Sequence, residues 1–290
     1  MTAPVSTLPG GTWTIGDRTI ARFGYGAMQL AGPGVMGPPA DRDCALAVLR
    51  EAVAQGVTHI DTSAAYGPHV TNALVREALH PYSGDLLIAT KVGADRSADG
   101  GWPTARRPED LRRQVHENLR DLAVDSLDLV YLRMGDATGP QPGSLAEAFG
   151  AMLDLQQEGL VRRVGLSNVT HDQVADARGL GEVSAVQNLY NLANRWDDAL
   201  IDELASAGIA YVPFFPLGGF SPLQSDALSR VASRLGTTPM VTALAWLLQR
   251  SPNLLLIAGT SKVAHLRENL AAASLVLSDD DVAELDAIGG

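Results

Sequence analysis

Short apolar runs rich in β-branched residues alternate with longer amphipathic stretches along most of the chain. Eight of the runs read as strands, at residues 23–28, 58–60, 86–90, 127–132, 161–167, 185–187, 210–214 and 254–258. Helical patterns lie between them at 43–55, 71–79, 109–122, 144–158, 170–178, 197–207 and 263–273, with an additional one at 239–249. In the third, Leu111, Val115, Leu119 and Leu122 recur at helical spacing with Arg and Glu between them, which makes one apolar stripe. Gly-Asp at the centre of 11–20 marks a β-hairpin. Ser278 followed by three aspartates marks the N-cap and acidic first turn of a final helix.

Strands alternating with helices eight times over specify a parallel sheet, and right-handed crossovers can close it into a (β/α)8 barrel of the TIM type. In such a barrel the functional loops gather at the C-terminal ends of the strands, and the hairpin would cap the other end. An open doubly wound sheet would instead carry G-x-G-x-x-G after its first strand. Here Gly24-Tyr25-Gly26 is followed by Ala-Met-Gln, so the third glycine is missing. No linker or low-complexity segment interrupts the rhythm, and residues 1–290 are expected to form one barrel domain.

Composition narrows the class of partner. With 290 residues, 46% of them hydrophobic and 19% charged, the chain can bury a barrel-sized core. A net charge of −11 repels nucleic acid and anionic lipid over long range, and no apolar stretch approaches the ~20 residues of a membrane span. The N-terminal residues M-T-A-P-V-S-T-L-P-G have neither the basic region nor the apolar run of a secretory signal. The single cysteine, Cys44, fits a reducing compartment. A soluble cytoplasmic protein is expected, without nucleic-acid or membrane partners and with its oligomeric state left open. The six histidines are scattered with no H-x-x-x-H spacing, so no metal site is expected, and there is no G-x-S-x-G nucleophile motif.

The chemistry concentrates in H-I-D-T-S-A-A-Y-G at residues 59–67 and A-T-K at residues 89–91. These place a carboxylate, a phenol and an amine at the ends of two successive strands. A phenol titrates near ~10, too high to pass a proton readily at neutral pH. An ammonium beside it stabilises the phenolate, and a carboxylate can hold the ammonium in place. Asp61, Tyr66 and Lys91 therefore form a proton-donor unit. Taken singly, a loop tyrosine is usually a packing residue and an Asp–Lys pair usually structural; their conjunction on adjacent strand ends is what gives the motif its weight.

These segments resemble the aldo-keto reductases, and the resemblance runs from about residue 11 to residue 270. It implies reduction of a carbonyl with NADPH, with Tyr66 protonating the oxygen, Lys91 lowering the tyrosine pKa and Asp61 pairing with Lys91. Most members carry a histidine after the fourth strand. In L-D-L-V-Y-L-R-M-G, Arg133 stands at that position. Arginine offers a permanently charged donor fork. It could stabilise negative charge developing on the substrate oxygen, bind a carboxylate, phosphate or phenolate beside the carbonyl, or pair with Asp61 or Asp136. Y-G-P-H-V-T-N after Tyr66, L-R at Arg133 and V-P-F-F-P-L-G-G-F at residues 212–220 resemble a bacterial branch associated with pyridoxal reduction. Pyridoxal carries its aldehyde beside an ionisable ring hydroxyl, which an arginine fork could grip.

The same resemblance implies a nicotinamide dinucleotide site. G-L-S-N and V-Q-N end the fifth and sixth strands, so Ser167, Asn168 and Gln187 are assigned to the carboxamide. Phe214 is assigned to stacking on the ring, and Leu217 and Gly218 to the pyrophosphate path. In I-A-G-T-S-K-V-A-H-L-R-E-N-L, hydroxyls and a lysine at a helix start make an anion site. Thr260, Ser261 and Lys262 are assigned to the 2′-phosphate and Glu268 and Asn269 to adenine; Gly259 belongs to the same cofactor site, and His265 stands at a position that is often arginine in relatives. Met28, Ala64, Ala65 and Met134 are candidates for the substrate pocket. Residues 94–108 and 135–143 are candidate substrate loops, or equally solvated connectors. Two other functions fit less of the chain: a slow-turnover NADPH sensor or partner subunit on the same fold, and a barrel lyase or isomerase holding a sugar phosphate at the last loops.

Overall fold

The computed structural model describes residues 8–136, 139–219 and 225–289. The chain enters through a hairpin, β1 (Thr12–Ile15) and β2 (Arg18–Ala21), paired antiparallel across Gly16-Asp17. Gly16 has φ +60°, the left-handed step that a two-residue hairpin turn needs. After the hairpin the predicted alternation begins: β3 (Tyr25–Gly26), α1 (Arg42–Ala54), β4 (His59–Asp61), α2 (Val70–Leu79) and β5 (Leu87–Ala94). There follow β6 (Thr104–Ala105), α3 (Pro108–Leu122), β7 (Leu129–Arg133), α4 (Ala146–Gln157), β8 (Val164–Ser167), α5 (His171–Leu180), β9 (Ala185–Gln187), α6 (Asp198–Ser206) and β10 (Ala210–Tyr211). The C-terminal part adds α7 (Asp226–Arg234), α8 (Pro239–Arg250), α9 (Val263–Leu270) and α10 (Asp279–Asp286).

Strands β3, β4, β5, β7, β8, β9 and β10 lie side by side, each parallel to its neighbours. Residues 254–256 close the ring. Leu254 bridges Tyr211 and Leu256 bridges Phe23, both parallel, with the Gly24 N–H donating to the Leu256 carbonyl at 2.8 Å. The barrel is thus an eight-membered (β/α)8 ring whose last member is held by bridges and not by a ladder. Side chains fasten the same seam. The Arg22 guanidinium donates to the carbonyls of Leu248, Ser251 and Leu254, and the Tyr25 hydroxyl donates to the Thr260 carbonyl at 2.5 Å.

Alternation along the strands sorts the core into two. Leu87 and Ala89 of β5, Leu129 and Tyr131 of β7 and Ala185 of β9 fill the barrel interior, closed from below by Ile15 and Ile20 of the hairpin. Their neighbours Ile88, Val92, Val130, Leu132, Val164 and Leu166 pack outward against the helices. Ser278 forms a capping box with Asp281 at the start of α10, as the sequence indicates.

Several expectations are corrected. The first strand is shorter than predicted, because Ala27–Leu30 turn into a 3-10 helix that carries Met28. Lys91 lies inside β5 and not beyond it, since the strand continues to Ala94 and pairs with β6. The segment 94–108 is therefore part hairpin and not wholly a loop. Helix α7 lacks a counterpart in the sequence reading, although Ser225 caps it and Leu228, Val231 and Ala232 form its buried stripe. Residues 137–138 of the second candidate loop and Phe220 lie outside the described residues.

Candidate active site

The side chains that face the barrel interior below turn polar at its C-terminal rim. Lys91 continues the inward face of Leu87 and Ala89, Arg133 that of Leu129 and Tyr131, and Gln187 that of Ala185. Register sets their heights: Asp61 stands beside Gly26 and Ala89, while Arg133, Ser167 and Gln187 stand side by side on β7, β8 and β9.

Asp61 is 3% exposed and fully engaged. Its Oδ1 forms an ion pair with Lys91 Nζ, and its Oδ2 accepts from Gln187 Nε2 at 2.8 Å. Lys91 Nζ also donates to the Thr62 carbonyl at 3.2 Å and lies 5.2 Å from the centre of the Tyr66 ring. Burial alone would lower the Lys91 pKa; the attraction of Asp61 and Tyr66 outweighs it and holds the ammonium above its ordinary range. Tyr66 shows the opposite balance. Burial raises its pKa, Lys91 and Arg133 pull it down, Asp61 pushes it up, and the phenol ends above 10.0. The influence of Lys91 has the sign the sequence indicates, yet desolvation exceeds it. The phenol is neutral and holds its proton.

Outside the barrel wall, a buried polar bridge fixes the strand ends that carry this pair. Thr62 Oγ1 donates to Asn72 Oδ1 at 2.8 Å, and Asn118 Oδ1 accepts from Asn72 at 2.8 Å and from Thr90 at 2.6 Å. Thr62, Asn72, Thr90 and Asn118 are all 0% exposed. The bridge ties α2 and α3 to the residues next to Asp61 and Lys91. Buried polar groups satisfied in this way hold one geometry. Sequence reading missed it; polar residues on the core-facing stripe of two helices were the available signal.

Arg133 is half-buried at the end of β7, and burial lowers its pKa against the attraction of Tyr66 and Asp136. Its Nη2 donates to the Asp136 backbone carbonyl at 3.1 Å, so of the two carboxylates weighed for it, Asp61 is taken by Lys91 and Gln187. The guanidinium carbon lies 5.7 Å from the centre of the Trp102 ring. Trp102 itself sets its edge against Tyr66, with ring centres 6.2 Å apart at 81°. This indole was not anticipated from the sequence, where it stands alone in a Gly- and Asp-rich segment; a large aromatic in a polar loop was the clue.

A cleft of about 120 Å³ opens beside Tyr66, lined among others by Gly26, Met28, Asp61, Gln187, Phe214, Leu217 and Gly259. Gly26 and Gly259 come from segments packed directly on each other. A Cβ on Gly26 would come within 2.5 Å of the Ile257 oxygen and one on Gly259 within 2.5 Å of the Gly26 oxygen, so this close backbone packing demands glycine. Of the residues assigned to the carboxamide, Ser167 is buried at the end of β8. Asn168 is buried with φ +56°, and its Nδ2 donates to the Asp136 carbonyl at 2.8 Å while its Oδ1 has no hydrogen-bond partner. A buried acceptor without a donor is costly unless a ligand supplies one. Gln187 sits at the rim but spends an amide N–H on Asp61. Phe214 is partly buried over the barrel interior, with Phe215 at 5.3 Å. Gly218 donates its N–H to the Phe215 carbonyl at 2.9 Å.

The segment assigned to the 2′-phosphate is a turn leading into α9. Thr260 Oγ1 accepts from the Lys262 N–H at 3.2 Å, and Lys262 is the exposed N-cap of α9. Ser261 is half-buried, His265 exposed one turn into the helix, and Asn269 buried on its inner side. Glu268 accepts from Thr238 Oγ1 at 3.0 Å, which ties α9 to the cap of α8.

The family model of the aldo/keto reductase family matches residues 22–289. The chain belongs to the aldo/keto reductase family. It is 61% identical over 279 residues to the pyridoxine 4-dehydrogenase of Escherichia coli (strain K12), covering 96% of this chain and 98% of that protein. An uncharacterized oxidoreductase of Schizosaccharomyces pombe is 39% identical, over 96% of this chain and 90% of its own length. Among solved structures, the thermostable aldo-keto reductase Tm1743 superposes with a TM-score of 0.81 at 30% identity, over 96% of this chain and 99% of that one. An aldo-keto reductase of Klebsiella pneumoniae in complex with NADPH gives 0.79 at 25% identity, over 95% and 94%. The family's barrel is thus present end to end, and this aldo/keto reductase carries Arg133 at the rim position described above. The chain is an oxidoreductase.

Proposed function

We propose that this aldo/keto reductase interconverts an aromatic aldehyde and its alcohol with NADPH/NADP+, with pyridoxal and pyridoxine as the candidate pair. The observation that carries the reading is the buried Tyr66 ring 5.2 Å from the Lys91 ammonium, which Asp61 holds in place. The dinucleotide fits the residues present. The unpartnered Asn168 Oδ1 offers an acceptor to a carboxamide N–H, the cleft lined by Phe214, Leu217 and Gly259 leaves space beside Tyr66, and Thr260, Ser261 and Lys262 would take the 2′-phosphate. Leu217 and Gly218 would follow the pyrophosphate, Phe214 the ring, and His265 and Asn269 the far end. Bound there, the nicotinamide supplies or accepts the hydride.

In reduction, Tyr66 donates its proton to the carbonyl oxygen as the carbonyl carbon gains hydride. Lys91 stabilises the phenolate left behind, and Asp61 keeps Lys91 charged and placed. Arg133 supplies hydrogen bonds to the substrate oxygen and to an ionised ring hydroxyl next to it. The E. coli relative named for pyridoxine oxidation supports this substrate. Its name also favours turnover over a cofactor-sensing role. We further read residues 1–290 as one barrel domain acting in the cytoplasm on a small carbonyl compound. The exposed single Cys44 and the net charge of −11 support that placement, and among the described residues no helix is long and apolar enough to cross a membrane.

The test follows NADPH oxidation with pyridoxal and with simple aromatic aldehydes, in the wild type and in Arg133→Ala. Preference for pyridoxal that shrinks in the variant is expected. Equal turnover of all the aldehydes, unchanged by the substitution, would overturn the substrate assignment.

A further inference from the structure

Asn188, the residue after Gln187 at the end of β9, is 1% exposed and spends its whole amide on its neighbours. Its Oδ1 accepts from the Val169 N–H at 3.0 Å, and its Nδ2 donates to the Val169 carbonyl at 2.9 Å and to Asp197 Oδ2 at 2.8 Å. An acceptor must face the N–H and donors must face the two oxygens, so the amide can lie only one way. The Tyr211 hydroxyl donates to the same Asp197 oxygen at 2.7 Å, which ties the carboxylate to β10. The main chain of Asn188 is engaged as well, its carbonyl accepting from the Phe214 N–H at 2.9 Å. Gln187 and Phe214 both line the cleft beside Tyr66.

The residue clamped in this way follows Asn168. Asn168 has φ +56°, a conformation that a non-glycine residue keeps only where its surroundings impose it. Its N–H donates to the Gln187 carbonyl at 3.0 Å and its Nδ2 to the Asp136 carbonyl at 2.8 Å, while Asn188 holds both backbone groups of the next residue. Gly135 leaves room for the Asn168 amide, since a Cβ there would lie 2.3 Å from its Nδ2.

We propose that Asn188, anchored by Asp197, is a positioning residue of the dinucleotide site: it locks the left-handed turn that presents Asn168 Oδ1 and sets the main chain of Phe214, so that the carboxamide binds in one orientation. The inference rests on the cofactor reading above and deepens it. Asn188 touches no ligand in this account and acts through Asn168 and Phe214. A carboxamide differs from other ring substituents in its N–H donors, and an acceptor held at a fixed place turns that difference into affinity. Without the clamp the Asn168 amide loses its direction, while the rest of the dinucleotide keeps its contacts.

The test compares NADP+ with its acetylpyridine analogue, in which a methyl group replaces the carboxamide nitrogen. Calorimetry reads both in the wild type, Asn188→Ala, Asn168→Ala, Asp197→Ala and Asp197→Asn. The wild type is expected to bind NADP+ about tenfold more tightly than the analogue, the worth of one hydrogen bond to a buried acceptor. Asn188→Ala is expected to raise the Kd for NADP+ about tenfold and that for the analogue less than about twofold, which removes the preference as Asn168→Ala does. Asp197→Ala reduces the preference in the same direction, and Asp197→Asn, which keeps an acceptor for Asn188 and Tyr211, retains it. Equal weakening of both dinucleotides in Asn188→Ala, or of neither, would mark Asn188 as merely structural and overturn the proposal. Where Asn188→Ala does not fold, the Asp197 pair decides: a wild-type preference in both of its variants overturns the proposal. A wild type that binds both dinucleotides equally also overturns it and leaves the cofactor reading standing. Binding of neither rejects the cofactor reading and the proposal with it.

Discussion

The two halves of the barrel rim are built to different degrees. At β4 and β5 the groups nearest the acid unit are buried and already paired: Asp61 with Lys91 and with Gln187 of β9, and Thr62, Asn72, Thr90 and Asn118 with one another behind the wall. On the side of β8, α9 and residues 214–219, partners are still owed. Asn168 Oδ1 lacks a donor, and Lys262 and His265 face solvent. The lesson is a division of labour. On the proposed reading, groups that act on the reacting atom are held in place before anything binds, where preorganised dipoles count most. On the same reading, groups that grip the dinucleotide are left for that ligand to complete.

Tyr66→Phe tests this division most severely. It removes the donated proton and leaves the cofactor side intact, so kcat falls by about 10²–10⁴-fold while NADPH still binds. Single-turnover kinetics and nicotinamide fluorescence read the two quantities; a matching loss of NADPH affinity would show that the halves are not separate. The two lysines make the next contrast. Lys91→Met strands a carboxylate that is 3% exposed and is expected to destabilise the fold by about 3–5 kcal/mol in urea denaturation. Lys262→Met, at an exposed position, changes stability by less than about 0.5 kcal/mol and weakens NADPH about tenfold relative to NADH. Similar stability losses from both would break the comparison.

A gentler probe lies one layer below Asp61. His59 is buried on β4, and burial lowers its pKa from 6.5 to about 4. The unfolded chain takes up a proton near pH 6.5 that the folded barrel refuses until about pH 4. Its contribution to stability is therefore full above pH 6.5 and lost as pH falls through that window, by about 3 kcal/mol. Urea denaturation at pH 7, 5.5 and 4 should show the decline, and His59→Gln should flatten part of it.

The sequence was most legible where chemistry and periodicity coincide. H-I-D-T-S-A-A-Y-G and A-T-K lie on strands whose alternation also fills the barrel, so placing the strands places Asp61 and Lys91. The turn at Thr260–Lys262 before α9 was legible because its hydroxyls sit at a helix start. What stayed hidden was cross-chain. The bond from Thr238 to Glu268, which ties α9 to the cap of α8, could not be read from either segment alone. The edge contact of Trp102 with Tyr66 joins two segments that lie apart in the sequence. The net direction of the Tyr66 pKa was equally out of reach, because motif spacing reports the neighbouring charge and not the depth of burial. Helix α7 was missed although its cap and stripe are ordinary.

The seam that closes the barrel has a bearing on how the molecule is made. Arg22 and Tyr25 reach the carbonyls of Leu248, Ser251, Leu254 and Thr260, the last across 235 positions of chain. A nascent chain on the ribosome thus has every residue of the acid unit outside the exit tunnel long before the partners of its first strand exist. Until the segment around Leu254–Thr260 emerges, the β3 edge stays open and the phosphate turn is absent. Non-local pairing of this kind comes late in folding. On the proposed reading, newly synthesised protein therefore acquires its grip on the dinucleotide last, and a chain clipped ahead of the seam would carry Tyr66 and Lys91 without the turn assigned to the phosphate.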